Sequence, residues 1–159
     1  MKTEIEKLQK AGFTGFIDIK TLKETYSQLP REKGVYVVVR MSGSDPVFLE
    51  KGTGGFFKGK NPNVSINKLQ DNWIVDSQIM YIGQTTASLQ SRISQYLRFG
   101  SGMAVGHYGG RYIWQLKDSD NLVFAWKILP SNDPRAYERT MLEDFLSEHG
   151  ALPFANLTL

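Results

Sequence analysis

This chain of 159 residues contains no cysteine. Disulfides, thiolate metal sites and cysteine nucleophiles are therefore excluded together, and nothing calls for an oxidising compartment. Only two histidines are present, His107 and His149. With no grouping of imidazole or thiolate ligands, a zinc site is not expected. No apolar run approaches the length of a membrane span, and the N-terminus is too polar for a signal peptide. These features predict a cytoplasmic protein with no membrane partner. Acidic residues are missing from two stretches, 51–68 and 77–117, although the formal net charge is only +3. The first stretch carries Lys51, Lys58, Lys60 and Lys68, and the second carries Arg92, Arg98, Arg111 and Lys117. Acids gather elsewhere, notably at Asp133, Glu138, Glu143, Asp144 and Glu148. Segregation of this kind is what binding to a phosphate backbone requires, although solvated basic surface also produces it.

What is present reads as one domain over residues 1–159, at 41% hydrophobic and 22% charged. Residues 3–10 and 20–28 read as short helices joined across Gly12 to Gly15, making 1–33 an N-terminal helical extension. The β-branched and aromatic run over 34–40 predicts a buried strand, and 78–83 and 121–129 predict two more. Val47-Phe48-Leu49 is a candidate short partner strand. Residues 51–62 read as a Gly- and Lys-rich loop, and 65–73 as a short helix. The expected fold class is α+β, with a small central three-stranded sheet flanked by helices.

Two longer helices are predicted. The first spans about 87–99, with Ser88 as N-cap. Leu89, Ile93, Tyr96 and Leu97 share one face, and Arg92 lies on its edge one turn before Tyr96. Arg92 either serves a site there or snorkels over the core. The second follows Asp133-Pro134 and ends at His149-Gly150. Met141, Leu142 and Phe145 form its apolar face, and Glu138 falls on that face. A carboxylate there needs a cation or hydrogen-bond donors. A hard divalent metal, an ion pair with Arg92, or the helix dipole would each satisfy it. His149, in the last turn, reads as a dipole-complementing cap.

Taken in order, Gly34-Val35-Tyr36, Tyr81-Ile82-Gly83, Arg92, Tyr96, Glu138 and Asn156 resemble the GIY-YIG nuclease family. Valine replaces the usual isoleucine in the first motif, and the second matches letter for letter. The likeness covers residues 34–40, 78–99 and 121–157. In the family the two motifs form a tight hairpin, whereas 44 residues separate Tyr36 from Tyr81 here. Residues 41–77 therefore read as an insertion between the motif strands, and insertions beside a site are usually functional.

The resemblance implies a metal-dependent endonuclease that hydrolyses DNA phosphodiesters with Mg²⁺ or Mn²⁺. A phenol with an ordinary pKa near 10 is a poor base at neutral pH unless cations lower it. Tyr36 would be the general base or the group orienting water, and Tyr81 would assist or bind phosphate, with an exchange of these roles possible. Arg92 would neutralise the scissile phosphate, Glu138 would hold the metal, and Tyr96 and Asn156 would orient the others. Lys51, Lys58, Lys60, Arg98, His107 and Arg111 are candidate nucleic-acid contacts, with Phe56 and Phe57 between the lysines suited to base stacking. His107 reads as a proton carrier, a DNA contact, or a loop histidine satisfied by backbone. The run Lys51-Gly-Thr-Gly-Gly lacks the Gly-Lys-Ser/Thr ending and strand-loop-helix setting of a P-loop. A homodimer or partner protein would be needed to cut both strands at once. The rival reading is a non-catalytic nucleic-acid-binding or protein-interaction module with the same fold.

Overall fold

A computed structural model describes residues 3–159. The chain runs α1 (Glu4–Lys10), β1 (Thr14–Asp18), α2 (Ile19–Thr25), β2 (Gly34–Val39), α3 (Ile66–Asn72), β3 (Ile79–Thr85), α4 (Leu89–Gly100), β4 (Val123–Ile128) and α5 (Pro134–His149). The architecture is α+β. Its sheet is antiparallel throughout and has four strands in the order β1-β4-β2-β3, not the three expected.

The extra strand, β1, corrects the reading of 1–33 as a helical extension: it lies between the two short helices, where the sequence offered only a glycine joint, and residues 1–2 lie outside the described residues. β1 pairs with β4 through a bulge between Gly15 and Ile17, where Phe16 adopts φ +56°. Gly15 has no Cβ because the Trp126 indole lies against it. A strand of five residues, broken by a bulge and containing glycine, carries no clean alternation. Val47-Phe48-Leu49 likewise falls short of a strand, leaving one isolated bridge from Phe48 to Leu116.

Every residue of β2 is buried. Its alternation divides the core between the two faces of the sheet. Val35, Val37 and Val39 face Leu8 and Phe13 of the N-terminal segment and Leu142 and Phe145 of α5. Tyr36 and Val38 face Ile19 and Leu22 of α2, Ile93, Tyr96 and Leu97 of α4, and Trp114. Each large apolar side chain buried this way stabilises the fold by about 1.5–3 kcal/mol. The sheet is thus sandwiched between α1 and α5 on one side and α2 and α4 on the other.

Helix ends follow their local chemistry. Ser65, Ser88 and Asp133 each accept a backbone N–H at the start of α3, α4 and α5. Gly150, at φ +76°, closes α5 by donating to the Leu146 carbonyl. Among the described residues, no helix is long and apolar enough to cross a membrane.

Candidate active site

Residues from β2, β3 and α4 and from the segment after α4 meet on the α4 side of the sheet. Tyr36 of β2 lies opposite Gly83 of β3 in the register. A Cβ at position 83 would overlap the Tyr36 ring, so the glycine of the second motif is required by the tyrosine of the first. The two triplets, 44 residues apart in sequence, are one packing unit.

Around Tyr36 the rings close into a cluster. Its centroid lies 6.2 Å from that of Tyr81 and 6.5 Å from that of Tyr96. Tyr81 and Tyr96 meet edge to face at 5.4 Å. Tyr36 and Tyr96 are fully buried, and Tyr81 is 9% exposed, making it the phenol nearest solvent. The Tyr96 hydroxyl donates to the Gly110 carbonyl, which fixes its ring.

His107 completes the cluster. Its side chain is 1% exposed, so it is not a surface contact for nucleic acid. Its ring stacks on Tyr96 at 3.6 Å with planes 7° apart, and Nε2 lies 2.7 Å from the Tyr36 hydroxyl. Nδ1 is buried without a hydrogen-bond partner among the described residues, so the backbone-satisfied alternative does not hold either. The segment over Tyr108–Gln115 is 3₁₀-helical, and the turns before it fold back over α4. That fold-back brings His107 to Tyr96, and the flanking glycines carry no periodicity from which to foresee it.

Arg92 supplies the positive charge. Its Nη1 donates to Gln95 Oε1 at 2.9 Å and to the Gly106 carbonyl at 3.0 Å, which anchors the guanidinium at the edge of the ring cluster. Its field favours the phenolate of all three tyrosines and opposes a proton on His107. Burial nevertheless dominates at every ring. The Tyr36 and Tyr96 phenols are held well above the usual value of 10, and Tyr81 is pushed up to about 12. Burial, reinforced by Arg92, keeps the His107 imidazole well below 6.5 and hence neutral. Arg92 alone therefore does not lower Tyr36 into the range of a free-standing base.

Comparison with protein-family models, curated proteins and solved structures yields no match.

Glu138, in the first half of α5, is half-buried. Burial raises its carboxyl above the ordinary value, while Arg92 pulls it the other way. No hydrogen bond or ion pair satisfies Glu138 among the described residues, so the structural ion pair with Arg92 is not formed. Nor is any group of three or more His, Asp or Glu side chains placed to hold a metal among them. A single unpaired carboxylate still fits Mg²⁺, which commonly takes one or two protein carboxylates and completes its shell with water and phosphate oxygens.

Asn156 stands apart from the rings. Its side-chain amide accepts from the Ile82 N–H and donates to the Ile82 carbonyl, both at 2.9 Å. Next to it, the Ala155 N–H donates to the Met80 carbonyl at 2.8 Å. The segment from 153 to 156 thereby covers the outer edge of β3 and holds the backbone between Tyr81 and Gly83. Lys51, Lys58, Lys60 and Arg98 are exposed, and Arg111 is half-exposed with its guanidinium stacked on Tyr108 at 3.9 Å.

Proposed function

We propose that the protein is a GIY-YIG-type, metal-dependent endonuclease that hydrolyses DNA phosphodiesters and works in the cytoplasm. One observation carries this reading: Arg92, anchored on Gln95 and the Gly106 carbonyl, stands at the edge of the ring cluster of Tyr36, Tyr81, Tyr96 and His107. In this reading β1 extends the family's sheet, and residues 41–77 are an insertion between the motif strands that adds no strand to it.

In this reading Arg92 binds the scissile phosphate and offsets charge as it grows in the transition state. Glu138 would hold one Mg²⁺ or Mn²⁺, which when bound would supply Lewis-acid stabilisation of the phosphate oxygens. Tyr36 takes a proton from the attacking water while passing its own to His107 Nε2. Such a handover bypasses the free phenolate that burial makes unfavourable. The water oxygen bonds to phosphorus, the bond to the leaving oxygen breaks, and that oxygen takes a proton from solvent. His107 later returns its proton to solvent through Tyr36. A bound phosphodiester cancels part of the Arg92 charge and so weakens one of the two causes that keep His107 neutral. Tyr81, nearest solvent, holds the water or a phosphate oxygen. Tyr96 and Asn156 position the rings and the Tyr81-Ile82-Gly83 backbone.

Plasmid cleavage with Mg²⁺ or Mn²⁺ tests the assignment. Arg92→Ala and Glu138→Ala should each lose at least about two orders of magnitude in rate, as expected for removal of an electrostatic stabiliser. Unchanged cleavage by either purified variant removes that residue from the mechanism. Salt-sensitive binding with no cleavage under any divalent metal would instead support the non-catalytic binding module.

A further inference from the structure

The insertion carries an apolar tip that the chemistry above does not use. Phe56 is 54% exposed and Met103, from the turn after α4, is 48% exposed. The two turns are locked together. Gly55 of the insertion donates to the Phe99 carbonyl at 2.9 Å, and within the second turn Met103 donates to the Arg98 carbonyl at 3.1 Å. Gly55 lies so close to the Met103 carbonyl that a Cβ there would collide with it. Phe56 and Met103 are therefore exposed apolar residues on adjoining turns, where solitary ones would mean little.

The surroundings are cationic. Lys58, Lys60 and Arg98 are exposed around this tip, within the two acid-free stretches. Aromatic faces shape the positions of two of them. Lys58 Nζ lies 5.3 Å from the Phe57 ring, and Lys60 Nζ lies 5.6 Å from Tyr108, whose hydroxyl donates to the Asn61 carbonyl. Lys58 has φ +53°, a conformation costly for a residue with a side chain and one that clusters at binding sites. The tip also adjoins the proposed site. Phe57 packs beside Gly106, and the Gly106 carbonyl accepts from Arg92.

We propose that Phe56 and Met103 form a wedge that enters a base step of duplex DNA next to the phosphate held by Arg92, with Lys58, Lys60 and Arg98 on the flanking phosphates. Charge complementarity selects a polyanion, and paired apolar side chains within a cationic rim match the wedges by which proteins unstack and kink DNA. The occupant is duplex DNA because the proposal rests on the endonuclease reading. The wedge would open the step beside the scissile bond and fix the direction from which the phosphate approaches.

Duplexes carrying 2-aminopurine at successive positions, titrated with the full chain, test this. Insertion should unstack the analogue and raise its fluorescence. In the Phe56→Ser/Met103→Ser double variant that rise should be lost, while the dependence of affinity on salt stays parallel to the parent, because no cation is removed. Both residues are exposed, so an unchanged Tm checks the fold. Binding without a fluorescence rise in the parent overturns the wedge, as does a rise that persists in the double variant. Absence of DNA binding, with an altered oligomeric state in the double variant, would overturn it in favour of a protein interface. A rise that depends on Phe56 and Met103 but comes with no cleavage in Mg²⁺ supports the wedge and removes the nuclease reading, so the two claims fail separately.

Discussion

At the scale of single residues, the site is governed by competition between burial and one cation. Burial raises the Glu138 carboxyl, so the fold favours its protonated form. At pH values above the raised value, the folded protein holds a charge that the unfolded chain would hold more easily. Glu138→Gln should therefore raise the Tm, by on the order of 1–3 °C, while abolishing cleavage. A scan of thermal unfolding beside the plasmid assay checks both halves, and a lower Tm would remove the conflict from Glu138. His107 has the opposite sense. Its folded value is depressed below 6.5, so the unfolded chain binds the proton first as pH falls. Stability should decline as pH drops below about 6.5, and His107→Phe, which keeps an aromatic ring on Tyr96, should lack that decline. Urea titrations at neutral and mildly acidic pH measure the difference. The same variant should lose about two orders of magnitude or more in cleavage, as for removal of a proton acceptor.

At the scale of elements, long and strongly patterned segments were legible and interrupted ones were not. α5 matches its expected span of 134–149, because Asp133, Pro134 and Gly150 punctuate both ends. α4 is displaced by only a residue or two, and β2 and β3 follow their β-branched and aromatic runs. β1 was missed because the bulge at Phe16 breaks the period-two pattern. The candidate site was legible only where residues belong to regular elements. His107 sits in a glycine-rich turn, and its approach to Tyr96 depends on how that turn folds back. The insertion belongs to the same class, and among the described residues its exposed lysines pair with no acid. Neutralising Lys51, Lys58 and Lys60 together should weaken DNA binding across all sequences and reduce the salt slope by roughly one unit for each phosphate left without its cation. Affinities measured at several salt concentrations decide this, and a triple variant matching the parent in affinity and slope would exclude the loop from the interface.

At the scale of the whole molecule, the ring cluster draws on β2, β3, α4 and the turn after α4, so it exists only when the entire α4 face is packed. Three of its members are tyrosines whose phenols are raised by burial. Of the seven tyrosines in the chain, these three should resist ionisation in the folded state. The sign follows directly: the unfolded chain releases those protons near pH 10, the folded one does not, and stability falls as pH rises past that point. Absorbance at alkaline pH should show these three ionising only as the protein unfolds. Ionisation of these three before unfolding would mean that the cluster is open to water.

The amide of Asn156 occupies both hydrogen-bonding groups of Ile82 on the outermost strand of the sheet. A bare strand edge is a template on which another chain can grow by strand addition. Asn156 is thus a stopper against self-templating as well as a brace for Tyr81. Asn156→Ala would leave Ile82 unsatisfied and expose that template, so the variant should form thioflavin-binding aggregates at concentrations where the parent scatters no light. Colloidal behaviour and cleavage would then fail together, through a residue that touches no substrate.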